Sequence, residues 1–88
     1  MTKDKQWKSL KREFESLDEK DLIEIDLVVE VVKRRKEKRL SQRDLAELTG
    51  LKQSSIARIE RDIVMPKLNT FIKIATALEL ELELVSKK

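Results

Sequence analysis

Ser41-Gln-Arg-Asp-Leu-Ala-Glu-Leu-Thr-Gly50-Leu-Lys-Gln-Ser-Ser-Ile-Ala-Arg-Ile-Glu60 is the stretch that decides the fold of this chain. Its centre is Gly50, the single glycine in 88 residues. Ala46 lies four residues before it and Ile56 six after. Two short helices crossing at a tight turn need a small residue where the first approaches the second. They also need a residue tolerant of positive φ at the turn, because a Cβ there costs about 1 kcal/mol or more. The second helix must then supply an aliphatic knob. Ala46, Gly50 and Ile56 meet these needs, with Leu45, Leu48, Leu51 and Ile59 as supporting apolar positions. The spacing therefore predicts helices over 42–48 and 53–60 with a turn at 49–51. A plain helical hairpin, with Gly50 as no more than a C-cap, satisfies the same spacing.

Ser41 is placed to cap the first of these helices, and Asp44, three residues on, to complete a capping box. Upstream, Leu22, Ile23, Leu27, Val28, Val31 and Val32 give an apolar face to a helix over 19–38. Ser16 or Asp18 starts it, and an interruption is expected near Asp26. Its β-branched residues lower its intrinsic propensity, so packing must hold it. Arg35, near its end, is positioned to form a partly buried bidentate pair with Glu60 that locks the two helices together. Further upstream, Trp7, Leu10, Phe14 and Leu17 recur at three- and four-residue steps, predicting an amphipathic helix over 4–17. Downstream, Pro66 ends a loop, and Asn69 is expected to cap a helix over 70–78 with Phe71, Ile74, Ala75 and Leu78 facing inward.

The pattern then changes period. Leu78 to Leu84 alternates leucine with glutamate, which predicts a strand with one apolar face; the alternative is a continued helix, which both residue types favour but whose leucines would point all round. A lone strand is an exposed edge, and the symmetric solution is the same strand from a second copy. Leu80, Leu82 and Leu84 are thus the expected dimerisation residues of a homodimer. The chain divides into an N-terminal helical extension (1–26), a helical domain (27–79) and a C-terminal strand and tail (80–88).

Composition narrows the function classes. Charged residues make up 42% and apolar residues 40% of the chain. Neither cysteine nor histidine is present. Disulfide frameworks, thiolate metal sites and the usual nucleophile–base pairs are therefore out of reach, so no catalytic residue, metal or cofactor is expected. No apolar run approaches the roughly 18 residues of a membrane span, and the cysteine-free composition fits a reducing cytoplasm. The net charge of +3 is unevenly spread. Residues 1–26 carry −2, residues 27–67 carry +5, and residues 68–88 carry none. The excess positive charge falls on the segment with the turn pattern, as a phosphate-binding face requires.

In a helix-turn-helix that reads DNA, the start of the first helix and the first turn of the second meet the duplex. Gln42 is placed to contact a phosphate and to brace Gln53. Arg43, Lys52 and Arg61 are further phosphate candidates. Gln53, Ser54, Ser55 and, one turn on, Arg58 are the base-edge candidates. Glutamine pairs bidentately with adenine and arginine with guanine.

The stretch from Leu40 to Glu60, followed by Pro66 and Leu78, resembles the lambda-repressor-like, or XRE-type, helix-turn-helix family. The resemblance implies an all-α domain of five short helices. The third would lie in the major groove of double-stranded operator DNA, and the protein would act as a dimer. It places the family's phosphate-contacting glutamine on Gln42 and its base-reading positions on Gln53, Ser54 and Arg58. A narrower layout is similar to HigA-type antitoxins: Trp7 in an N-terminal helix, the acidic stretch after Leu17, and the terminal leucine strand. That likeness implies a cytoplasmic, nucleoid-associated autorepressor that neutralises a RelE-fold, HigB-like mRNA-cleaving toxin. Trp7, Leu10 and Phe14 would be its toxin-binding residues, since aromatic side chains anchor interfaces. The alternative is a stand-alone repressor without a toxin. Two positions depart from the family pattern, Asp62 and Glu79, where such proteins usually carry glycine.

Overall fold

The computed structural model describes residues 18–87. Among the described residues there are four α-helices and no strand: α1 (Glu19–Glu37), α2 (Gln42–Thr49), α3 (Gln53–Asp62) and α4 (Leu68–Ala77). The expected helix over 4–17, with Trp7, Leu10 and Phe14, lies outside them.

Asp18 caps α1, its carboxylate accepting the Asp21 amide, and Glu19 and Asp21 place negative charge in the first turn. The helix runs unbroken through Asp26, so the division drawn after residue 26 falls inside α1. Tertiary packing outweighs the β-branched propensity here. Leu22, Val28 and Val31 are buried, while Ile23 of the expected face is turned outward. Arg35 continues the buried stripe.

The core gathers Val31 from α1, Leu45 and Ala46 from α2, Ile56 from α3, and Phe71, Ile74 and Leu78 from the α4 end. Leu45 and Leu78 are fully buried. Each helix contributes only one face, so none has its apolar surface covered without the others.

The last helix starts earlier than expected. It begins at Leu68 with Lys67 as N-cap and no side-chain capping bond, and Asn69 lies exposed inside the first turn. Pro66, which has no amide to lose, precedes this start. The inner face of Phe71, Ile74, Ala75 and Leu78 is as anticipated.

Neither a fifth helix nor a strand follows α4 among the described residues. Glu79 takes a left-handed backbone, φ 61°, and breaks the helix there. The alternating leucines that follow offer no stripe of helical period to bury. They make no ladder either, because a strand needs a second strand to receive its hydrogen bonds and one chain supplies none. Leu80 packs partly against the core, whereas Leu82 and Leu84 are exposed. Among the described residues, no helix is long and apolar enough to cross a membrane.

Candidate nucleic-acid interface

The turn between α2 and α3 is built locally. The Ser41 hydroxyl accepts the Asp44 amide and the Asp44 carboxylate accepts the Ser41 amide, each at 2.9 Å, so the capping box is complete. The backbone bond from Ser41 pulls the Asp44 carboxyl below its ordinary range. At the other end Gly50 adopts φ 75° and donates its amide to Ala46 at 2.9 Å. Nothing lies within 4 Å of where a Cβ would stand on Gly50. The glycine is therefore required by backbone conformation, not by crowding. The Thr49 hydroxyl donates to the Leu45 carbonyl at 2.8 Å and accepts the Leu51 amide at 3.3 Å, which ties the turn back onto α2.

Tertiary contacts then aim α3. Ile56 is 1% exposed and fixes the buried face of the helix. Arg35 holds its far end: Nε and Nη2 donate to the two Glu60 carboxylate oxygens at 2.7 and 2.9 Å. The remaining Arg35 nitrogen, Nη1, donates to the Leu40 carbonyl at 2.6 Å. One buried guanidinium thereby joins α1, the α1–α2 turn and α3. Burial pushes the Glu60 carboxyl up, but the hydrogen bonds from Arg35 and Gln42 and the Arg35 charge outweigh it, and the group sits below its usual range.

Gln42 corrects the expectation that it braces Gln53. Its Nε2 donates to Glu60 Oε1 at 3.0 Å, so it completes the Arg35–Glu60 node. A carboxylate with an open lone pair is a stronger acceptor than a neutral glutamine amide. Gln42 remains only partly buried at the start of α2.

The other candidates all lie on the surface. Gln53, Ser54 and Ser55 are exposed on the first turn of α3, and Lys52 is exposed at its N-cap, making no side-chain capping bond. Arg58 is exposed and 3.8 Å from Asp62, which Arg61 also binds at 3.0 Å. Arg43 is exposed and 3.8 Å from Glu47. Such exposed pairs contribute little, so a phosphate could displace them at small cost. Gln42, Lys52, Gln53, Ser54, Ser55 and Arg58 are thus carried by two helix starts and one helix face.

Sequence reasoning did not foresee the fastening of the α4 end. Arg34 Nε donates to the Leu78 carbonyl at 3.1 Å, and Lys38 pairs with Glu79. The left-handed residue after α3 is Ile63 (φ 50°), not Asp62, which is the last residue of the helix.

The chain belongs to the helix-turn-helix family HTH_3, whose model matches residues 31–85. That is a family of DNA-binding regulators, not of enzymes. The chain is 43% identical over 54 residues to the uncharacterized HTH-type transcriptional regulator y4dL of Sinorhizobium fredii. It is 35% identical over 63 residues to an uncharacterized HTH-type transcriptional regulator of Haemophilus influenzae. The matches cover 61% and 72% of this chain but only 28% and 64% of those relatives. No solved structure gives a significant match.

Proposed function

We propose that this protein is a sequence-specific transcriptional regulator that binds double-stranded operator DNA with α3 in the major groove. The observation that carries this reading is the exposed set Gln53, Ser54 and Ser55 on the first turn of α3, with Arg58 one turn on, on a helix held in place by Ile56 and Glu60. A rigid element presenting bidentate hydrogen-bonding side chains is what base-edge recognition needs. Gln42, Arg43, Lys52 and Arg61 supply backbone contacts that set register. The names of both relatives support the reading.

A homodimer places two α3 helices about one duplex turn apart, roughly 34 Å, over a near-palindrome. Leu80, Leu82 and Leu84 are the dimer contact, with the 80–84 segments of two copies pairing as strands across a twofold axis. The exposure of Leu82 and Leu84 in the single chain supports this. The protein then acts on DNA in the cytoplasm.

Selection from a random duplex pool tests the reading. The full chain should enrich a near-palindrome and bind it at least ~1,000-fold more tightly than mixed sequence. Sequence-blind binding that selects no motif overturns it. Leu82→Lys should weaken binding by dissociating the dimer, and an unchanged dimer removes the strand-pairing model.

A second reading adds a protein partner. Trp7, Leu10 and Phe14 recur in the sequence at three- and four-residue steps, outside the helix-turn-helix segment, and aromatic anchors are typical of interfaces. On it the regulator is an antitoxin that sequesters a RelE-fold toxin and represses its own operon. Co-expression with the product of the adjacent gene decides. A complex lost on Trp7→Ala supports the antitoxin, and the absence of any complex leaves the stand-alone regulator.

A further inference from the structure

The basic run over residues 33–39 divides into two sets. Arg34, Arg35 and Lys38 turn inward to the Leu78 carbonyl, Glu60 and Glu79 respectively. Lys33, Lys36 and Arg39 are exposed, and among the described residues no ion pair or side-chain hydrogen bond engages them. Three cations are thus consumed by the fold and three are left over.

The leftover three are neighbours. Lys33 and Lys36 lie one helical turn apart, and the Arg39 amide donates to the Lys36 carbonyl at 3.0 Å. Their strip runs toward the start of α2. Lys36 is close enough to Glu60 that, beside burial and the Arg35 and Gln42 hydrogen bonds, its charge helps set the state of that carboxyl. Glu60 in turn holds Gln42, the first residue of α2. Arg39 stands two residues before the Ser41 cap. Its backbone is left-handed, φ 60°, where glycine would cost least, yet the position carries a long, free cation.

We propose that Lys36 and Arg39 form a second phosphate clamp. They grip the duplex backbone beside the segment read by α3 and extend the DNA footprint from the helix-turn-helix onto the end of α1. This rests on the DNA-binding reading above. Positive charge at the C-terminal end of α1 also complements the helix dipole. A role confined to that would change stability and leave the salt dependence of binding alone.

The test is fluorescence anisotropy of the full-length protein on a mixed-sequence duplex of about 30 base pairs, between about 50 and 200 mM KCl. Lys36→Gln with Arg39→Gln should flatten the slope of log K against log salt by about 1.8 per protomer, near 0.9 for each lost phosphate contact. Lys20→Gln with Lys73→Gln removes the same charge at exposed positions elsewhere, at the start of α1 and on α4, and should leave the slope unchanged. An equal flattening in that control overturns the clamp, because bulk charge then accounts for the effect. A wild-type slope in the Lys36/Arg39 variant, while Lys52→Gln flattens it, overturns the clamp and leaves the DNA-binding reading intact. Absence of wild-type binding at low salt overturns both. If the double variant melts early, Arg39→Lys and Arg39→Gln provide the same comparison: lysine should keep the slope and glutamine should lose about half of the difference.

Discussion

α2 and α3 are two helices of similar length on either side of one turn, and their ends are finished in opposite ways. α2 is closed by its own sequence. It has a reciprocal Ser41–Asp44 box at its start and a left-handed glycine at its end. α3 begins at Lys52 with no side-chain cap and ends on a left-handed isoleucine, φ 50°, a costly conformation for a β-branched residue. What α3 lacks locally it receives from elsewhere, through the buried Ile56 and the Arg35–Glu60 pair. The supporting helix has both its ends closed by its own residues. α3 is held from behind and at its far end, and its first turn is left open.

Breaking the hold on α3 should have the largest effect. Glu60→Ala strands a buried guanidinium and should cost about 3 kcal/mol or more in urea unfolding, whereas replacing Arg35 and Glu60 together by apolar residues should cost less. A loss under 1 kcal/mol for the single variant would show that α3 does not depend on the pair. The same carboxyl makes stability pH-dependent. Despite its burial, the Arg35 and Gln42 hydrogen bonds hold the folded carboxyl below the ordinary glutamate range, so its contribution is complete above that range. It is lost as the pH falls through the lower, folded value. Acid titration followed by circular dichroism should show wild type losing stability in this range and Glu60→Gln losing less of it.

The open face comes next. Gln53→Ala should cost roughly 1–3 kcal/mol in operator affinity and relax one base position, with unfolding little changed, as competition with base-substituted duplexes will show. Then come the two helix starts. Ser41→Ala should cost about 1 kcal/mol of stability by removing half of the box. Lys52→Ala, at the equivalent place on α3, should change stability by less than about 0.5 kcal/mol and weaken binding to every duplex alike. Equal stability losses at the two positions would erase the contrast. The one gain in stability is expected at Ile63. Ile63→Gly should raise stability by about 0.5–1 kcal/mol in thermal unfolding, relief of backbone strain being partly offset by a freer unfolded chain.

Legibility along the chain followed the range of the interactions. The Ser41 cap, the Gly50 turn and the inner face of α4 rest on contacts within a few residues, and they are where the sequence placed them. The Arg35–Glu60 pair was also foreseeable, because the turn brings α3 back toward the end of α1. Gln42 was not. Its expected partner Gln53 lost to a carboxylate delivered by α3 from 18 positions away. Asn69 has the chemistry of a cap, but the helix starts beyond its reach, next to Pro66. The leucine alternation predicted a strand that the described residues do not form, because a period of two says nothing about whether a partner strand is present.

The sequence by itself determined the helix-turn-helix, the sign and position of the charge excess, and the polar face of α3, because propensity, capping and side-chain period are short-range properties. Only the tertiary structure decided which cations are used up inside the fold and which remain for a ligand. Arg34, Arg35 and Lys38 differ from Lys33, Lys36 and Arg39 only in which way they face. That is set by where α3 and the end of α4 pack against α1, a matter of three-dimensional distance that no one-dimensional spacing records.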